Sequence, residues 1–322
     1  MGYPRYLLVP PGTPGVYHCV SRCVRRAFLC GNDPDTGRSF EHRKQWLEAR
    51  ILELGTLFAV AVHAYAIMSN HFHIVVEIEP DAARHWSDEE VARRWIRLTS
   101  RRDTPPEALE SRLASLTSQT ERLTVLRERL GSLSWFMRFL KEPVARRANA
   151  EDECTGRFWE GRFRTQALLD DSAVLACMAY VDLNPVRAGI AKDPRQSPHT
   201  SMRRRVRART GSDSRMSPLA SSISSHVVFL STRQYFSLVD WTAGQLHEGG
   251  LERTSTGVPL ATLERLEIYP QQWLIQVRAT ESRYWRAIGR TGALIDRARV
   301  LGKRWLCGIG TARDLERLAN PG

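Results

Sequence analysis

Two histidines separated by a single apolar residue, His71 and His73 around Phe72, are the first residues in this chain equipped for chemistry. In a strand, alternate side chains point to opposite faces. Phe72, Ile74, Val76 and Ile78 then form an apolar row, and His71, His73, Val75 and Glu77 the other. The imidazoles sit about 7 Å apart at the backbone, two residues' rise of roughly 3.3 Å each, so their ring nitrogens can converge on one divalent ion. Two histidines on a solvated strand face is the competing reading. A second group lies far downstream in residues 173–184, AVLACMAYVDLN. Residues three or four apart share a helix face, so Tyr180 and Asn184 point the same way, on a stripe with Ala173 and Cys177. A third, residues 156–164, interleaves Phe158, Trp159 and Phe163 with Arg157, Arg162 and Arg164. Aromatic faces stack on unpaired bases while arginines hold phosphates; a strand with aromatics inward and arginines outward gives the same pattern.

These residues need elements to hold them. Residues 16–24, VYHCVSRCV, favour a strand, with Arg22, Arg25 and Arg26 crowding its far end. Residues 41–55 have helical spacing and stop at Gly55, a C-terminal cap signal. Residues 58–68 and 71–78 are strands of a hairpin around Ser69-Asn70, which pairs Met68 with His71 and sets Ala66 opposite His73. Residues 80–131 read as a helical insertion. Residues 134–150 form a basic amphipathic helix, kinked or restarted at Pro143, that closes one side of the sheet. Asp170, Asp171 and Ser172 cap the Tyr180 helix, and Pro185 ends it. The run 196–225 is basic, Ser-rich and without periodicity, and reads as a linker. Its Arg203, Arg204, Arg205, Arg207 and Arg209 either track phosphates or form a solvated charge run. Helical patterning returns at 231–246, 259–266, 270–289 and 291–301, giving a small helical accessory domain over 226–322.

The chain has 322 residues and a net charge of +12, with lysine only at Lys44, Lys141, Lys192 and Lys303. A coding bias accounts for the preference for arginine but not for the positive surplus, which points to a nucleic-acid partner. Six scattered cysteines do not make a disulfide framework. No apolar run reaches the roughly 18 residues a membrane span needs, and the N-terminal apolar run is too short for a signal peptide. A soluble, cytoplasmic protein is expected.

Taken together, residues 62–77 (VHAYAIMSNHFHIVVE), 156–164 (GRFWEGRFR) and 180–189 (YVDLNPVRAG) resemble the single-tyrosine HUH transposases of prokaryotes, particularly the REP-associated tyrosine transposase branch. The resemblance covers about residues 14–195 and implies an α+β fold with a ferredoxin-like βαββαβ antiparallel sheet over a 1–195 domain. It implies that His71, His73 and Asn184 hold Mg2+ or Mn2+, and that Tyr180 attacks DNA to leave a 5′-phosphotyrosine. Asp182 stands where the family more often has histidine. The implied partner is single-stranded DNA beside a hairpin, held by Arg22, Arg25, Arg26, Arg157, Arg162, Arg164 and Arg187, without a small-molecule cofactor, by a monomer or homodimer. Two other readings compete. One is a domesticated hairpin-DNA-binding protein that no longer cuts; the other, a small-molecule metallohydrolase, lacks the further His or Asp ligands such sites need.

Overall fold

Six strands, β1 (Gly15–Arg22), β2 (Val60–Ile67), β3 (His71–Ile78), β4 (Arg164–Leu168), β5 (Ala220–Ser221) and β6 (Ala287–Ile288), form one mixed sheet in the order β5-β2-β3-β1-β4-β6. The structure is a computed structural model and describes residues 5–24, 30–34, 36–101, 103–208, 214–225, 230–246, 257, 259–282 and 285–319. The helices are α1 (Arg5–Leu8), α2 (His42–Leu57), α3 (Pro80–His85), α4 (Asp88–Thr99), α5 (Pro106–Thr117), α6 (Thr120–Leu130), α7 (Leu133–Glu151), α8 (Asp171–Arg187), α9 (Ser201–Arg207), α10 (Thr232–Leu246), α11 (Leu260–Arg265), α12 (Pro270–Glu281), α13 (Thr291–Val300) and α14 (Ile309–Ala319). This is an α+β architecture. The sheet is antiparallel except where β6 runs parallel to β4, so residues 287–288, expected to be helical, instead extend the sheet edge.

The alternation of β3 places Phe72, Ile74, Val76 and Ile78 against α2 and α7 in one core, while Val75 faces α8 in the other. In β2 a register shift between Val62 and Ala64 changes the parity. Val60, Val62, Tyr65 and Ile67 therefore join the first core, and the small Ala64 and Ala66 lie under α8. The hairpin pairs Ala66 with His73, and the Met68 N–H donates to the His71 carbonyl.

Four further expectations about local structure change. Helix α2 runs past Gly55 to Leu57 and is closed by the extended Phe58. Gly55 is there for space, since a Cβ would lie 2.7 Å from the Ala220 Cβ of β5. Helix α7 is continuous through Pro143, because the carbonyl that a proline leaves unpaired four residues back, that of Phe139, accepts from Arg50 Nε at 3.2 Å. Pro185 does not end α8 either. It sits in the last turn, and its carbonyl accepts from the Ile190 and Ala191 N–H groups. Finally, the 196–225 run contains α9, capped by the Thr200 hydroxyl accepting from the Arg203 N–H. Arg205 there is buried, donating to the His63 carbonyl at 2.7 Å and the Ser217 carbonyl at 3.0 Å.

Helix α8 has no solvent face. Its residues from Ser172 to Pro185 are all buried, between β2, β3 and β4 on one side and α10 and α12 on the other. No described helix is long and apolar enough to cross a membrane.

Candidate active site

The polar row of β3 and the tyrosine of α8 meet. The His71 and His73 ring centroids are 5.0 Å apart, and the Tyr180 ring stands edge-on to His73 at 5.7 Å. Phe72 and Ile74 are fully buried on the opposite sheet face. Strand alternation sets the first arrangement. The second follows from α8 lying across β2 and β3 with its N-terminus pinned where Asp170 accepts from the Ala173 N–H at 2.9 Å.

Both histidines have one ring nitrogen engaged. His71 Nδ1 lies 2.6 Å from Asn70 Oδ1, and His73 Nδ1 lies 2.9 Å from His18 Nε2 on β1. In each ring Nε2 remains. That of His73 is buried with no hydrogen-bond partner, as is the Asn184 Nδ2, and buried polar atoms are normally satisfied. Burial holds His71 down at about 4, helped by the charges of Arg22 and Arg164. His73 is pushed well below its ordinary range by burial, then by His18, His71 and the same two arginines. Both imidazoles are therefore neutral at pH 7, the form that ligates metals. Among the described residues no group of three His, Cys, Asp or Glu side chains is placed to hold a metal. Two neutral imidazoles are metal donors, and the Asn184 amide lies next to the Tyr180 hydroxyl.

Tyr180 is 6% exposed. Burial raises its phenol above the ordinary value, opposed by the Asn184 amide and the Arg187 charge. The Arg187 guanidinium lies 5.1 Å from the Tyr180 ring centre and donates to Glu281 at 2.6 Å. Asp182, two residues on, turns away from the histidines. It is fully buried and accepts from the Met202 N–H at 2.9 Å, the Tyr235 hydroxyl at 2.6 Å and the Ser201 hydroxyl. Its place in α8 is an anchor to α9 and α10.

The arginines fall into different settings. Arg22 is paired across the sheet with His71. Arg164 begins β4, opposite Val20. Arg157 and Arg162 are exposed on the rim of a groove of about 590 Å3 between α7 and the 156–163 loop. Phe158, Trp159 and Phe163 point inward and are buried, Trp159 against Phe72 at 5.4 Å, but they do so from a loop, since β4 begins only at Arg164. Of the arginines in α9, Arg205 serves the fold. Arg25, Arg26 and Arg209 lie outside the described residues.

Two residues of this cluster carry no motif. His18 and Gln166 are fully buried cross-strand partners on β1 and β4, with His18 Nδ1 2.7 Å from Gln166 Oε1. The signal available was a polar residue inside each of two apolar strand runs, on the row shared with His73.

No protein-family model matches the chain, and no curated protein matches it. Among solved structures, that of a REP-associated tyrosine transposase bound to a REP hairpin is similar with a TM-score of 0.34 and 13% identity, over 71% of this chain and 96% of that one.

Proposed function

We propose that this protein is a metal-dependent single-stranded DNA endonuclease and strand transferase of the single-tyrosine HUH type, cutting beside hairpins. The observation that carries the reading is the meeting of Tyr180 on α8 with His71 and His73 on β3, around a buried His73 Nε2 that no protein group satisfies. Packing alone does not call for a phenol and two imidazoles to face one another from such distant parts of the chain. The antiparallel order β2-β3-β1-β4, with α2 and α7 packed on one face, supports a ferredoxin-like βαββαβ core.

His71 and His73 would hold Mg2+ or Mn2+ through Nε2, with Asn184 as third donor. The bound ion would polarise the scissile phosphodiester. Tyr180 would attack phosphorus in line, losing its proton as the bond to the 3′ oxygen breaks. That oxygen would leave as a 3′-hydroxyl, and a 5′-phosphotyrosine would remain. Attack by another 3′-hydroxyl reverses the step, so rejoining needs no nucleotide. A phenol with a raised pKa is a weak nucleophile, and Arg187 and Asn184 are the groups beside it that favour the phenolate. Arg22 and Arg164 place positive charge beside the histidines, and Arg157 and Arg162 offer exposed phosphate contacts along the groove.

The test is to incubate the full chain with labelled single strands flanking a hairpin, with Mg2+ or Mn2+. A covalent protein–DNA adduct is expected and should be absent in Tyr180→Phe. An adduct unchanged by that substitution overturns the assignment. Salt-sensitive binding without cleavage under any divalent ion would favour a hairpin-binding protein instead.

A further inference from the structure

The amide of Gln166 is bound on both ends, and the two ends are not interchangeable. Its Nε2 faces three main-chain carbonyls of the segment that ends α12 and leads to β6: Trp285 at 2.9 Å, Ser282 at 3.1 Å and Ala279 at 3.4 Å. Carbonyls only accept, so the NH2 must be on that side and Oε1 must face His18. An oxygen acceptor 2.7 Å from His18 Nδ1 requires that nitrogen to carry the proton. In the neutral ring the His18 Nε2 is then the lone-pair nitrogen, and the group 2.9 Å from it, His73 Nδ1, must be the donor. With its proton on Nδ1, His73 is left with a bare Nε2, and that is the buried atom without a partner. The His18 and His73 ring planes are nearly parallel, 9° apart, with centroids 5.1 Å from one another.

We infer that Gln166 and His18 are positioning residues: a hydrogen-bond relay of fixed direction, anchored on the carbonyls of Ala279, Ser282 and Trp285, that locks His73 in the Nδ1–H tautomer with its Nε2 lone pair turned to the site shared with His71 and Tyr180. The inference deepens the proposed metal role of His73 and rests on it for purpose, but the tautomer itself is a property of the metal-free protein. The chemistry is that of a metal-ligand histidine oriented by the partner of its other ring nitrogen. It also gives the C-terminal helices a part in the site, because the relay begins on their backbone. All three partners are buried, with no charged group in the line.

The experiment uses metal-free protein with nitrogen-15-labelled histidine, where long-range proton–nitrogen correlation distinguishes the two tautomers. The His73 signal is identified by its loss in His73→Gln. Wild type is expected to show His73 as Nδ1–H. In Gln166→Met and His18→Leu the Nε2–H form should gain population. His18→Gln, whose amide oxygen can stand where Nε2 stood, should retain Nδ1–H. Mn2+ titration of the same proteins should show affinity lowered about 10–100-fold in Gln166→Met and His18→Leu, and largely restored in His18→Gln. His73 found as Nε2–H in wild type overturns the inference. So does Nδ1–H persisting in both Gln166→Met and His18→Leu. If wild type shows the relay but binds no Mn2+, the metal reading above fails while the relay stands.

Discussion

Replacing Asp182 by alanine is predicted to destabilise the protein severely, although Asp182 touches neither histidine. The carboxylate sits two residues past Tyr180 and ties α8 to α9 and α10 through Met202, Ser201 and Tyr235. In Asp182→Ala the Ser201 hydroxyl keeps the Tyr65 carbonyl, at 3.2 Å. The Met202 N–H and Tyr235 hydroxyl lose the acceptor they have. Two buried unsatisfied donors at about 1–3 kcal/mol each give a loss of about 2–6 kcal/mol, a large part of the roughly 5–15 kcal/mol that holds a domain folded. Asp182→Asn retains a carbonyl oxygen, and the Tyr235 hydroxyl can turn to accept from the new NH2, so its cost should be about 1 kcal/mol or less. Urea unfolding followed by tryptophan fluorescence measures both. The two variants also differ in pH dependence. Burial, the largest influence, raises the Asp182 carboxyl above its ordinary value, against the lowering by Ser201, Tyr235, Arg205 and the Met202 N–H. A raised folded pKa means a contribution fully present below the unfolded value of about 4 and lost as pH rises through the folded one. Asp182→Asn should therefore gain on wild type as pH rises through that window. An alanine variant within about 1 kcal/mol of wild type, or an asparagine variant as damaged as alanine, would refute the anchoring role.

Three further outcomes are expected. Phe72→Ala should cost about 3–5 kcal/mol as a core truncation, whereas His71→Ala, one residue away on the polar row, should cost less than about 1 kcal/mol; equal losses in denaturant unfolding would contradict the two-faced reading of β3. Gly55→Ala, normally a helix-stabilising change of about 1 kcal/mol, should instead destabilise by pressing on the Ala220 Cβ, with the loss recovered only in part in Gly55→Ala/Ala220→Gly because the Ala220 carbonyl oxygen at 3.1 Å and Val62 Cγ2 at 3.2 Å remain; thermal melts of the four proteins decide. Burial holds His18 and His71 down at about 4 each, so their contribution is present above the unfolded value near 6.5 and is lost as pH falls toward 4. Unfolding free energy measured across that range should fall with acid, less steeply in His18→Gln.

Much of what positions the site was legible because it depends on short-range rules. Strand alternation separates His71 and His73 from Phe72 and Ile74, a two-residue turn sets the β2–β3 pairing, and helical spacing brings Tyr180 and Asn184 to one side. At Gly55 and Pro143 local propensity was read as an end or a restart where a tertiary contact decides, whereas Pro185 is accommodated locally, in the last turn of α8. Arg50 reaches the Phe139 carbonyl that Pro143 leaves unpaired, and no reading of residues 134–150 alone contains Arg50. The 196–225 run looked like a linker because its helix is only seven residues long. Its periodicity is hidden by arginines, one of which is a buried donor rather than a solvated charge.

The relay was illegible for a different reason. His18, Gln166 and His73 become neighbours only when the register of three strands is known, with His18 opposite Gln166 on one side and Val20 opposite His73 on the other. Diagonal neighbours across strands come within side-chain reach, and a shift of one residue would turn His18 to the other face. There was nonetheless a clue in α8. A helix written AVLACMAYV has no polar face to give to water, so both its sides must be covered: the sheet covers one, and only chain beyond it can cover the other. The C-terminal helices α10 and α12 do this. Once α12 lies against α8, its terminal carbonyls need partners, and Gln166 at the neighbouring sheet edge supplies the donor. The need to satisfy the end of one helix thus reaches, through two side chains, the ring nitrogen on which His73 carries its proton.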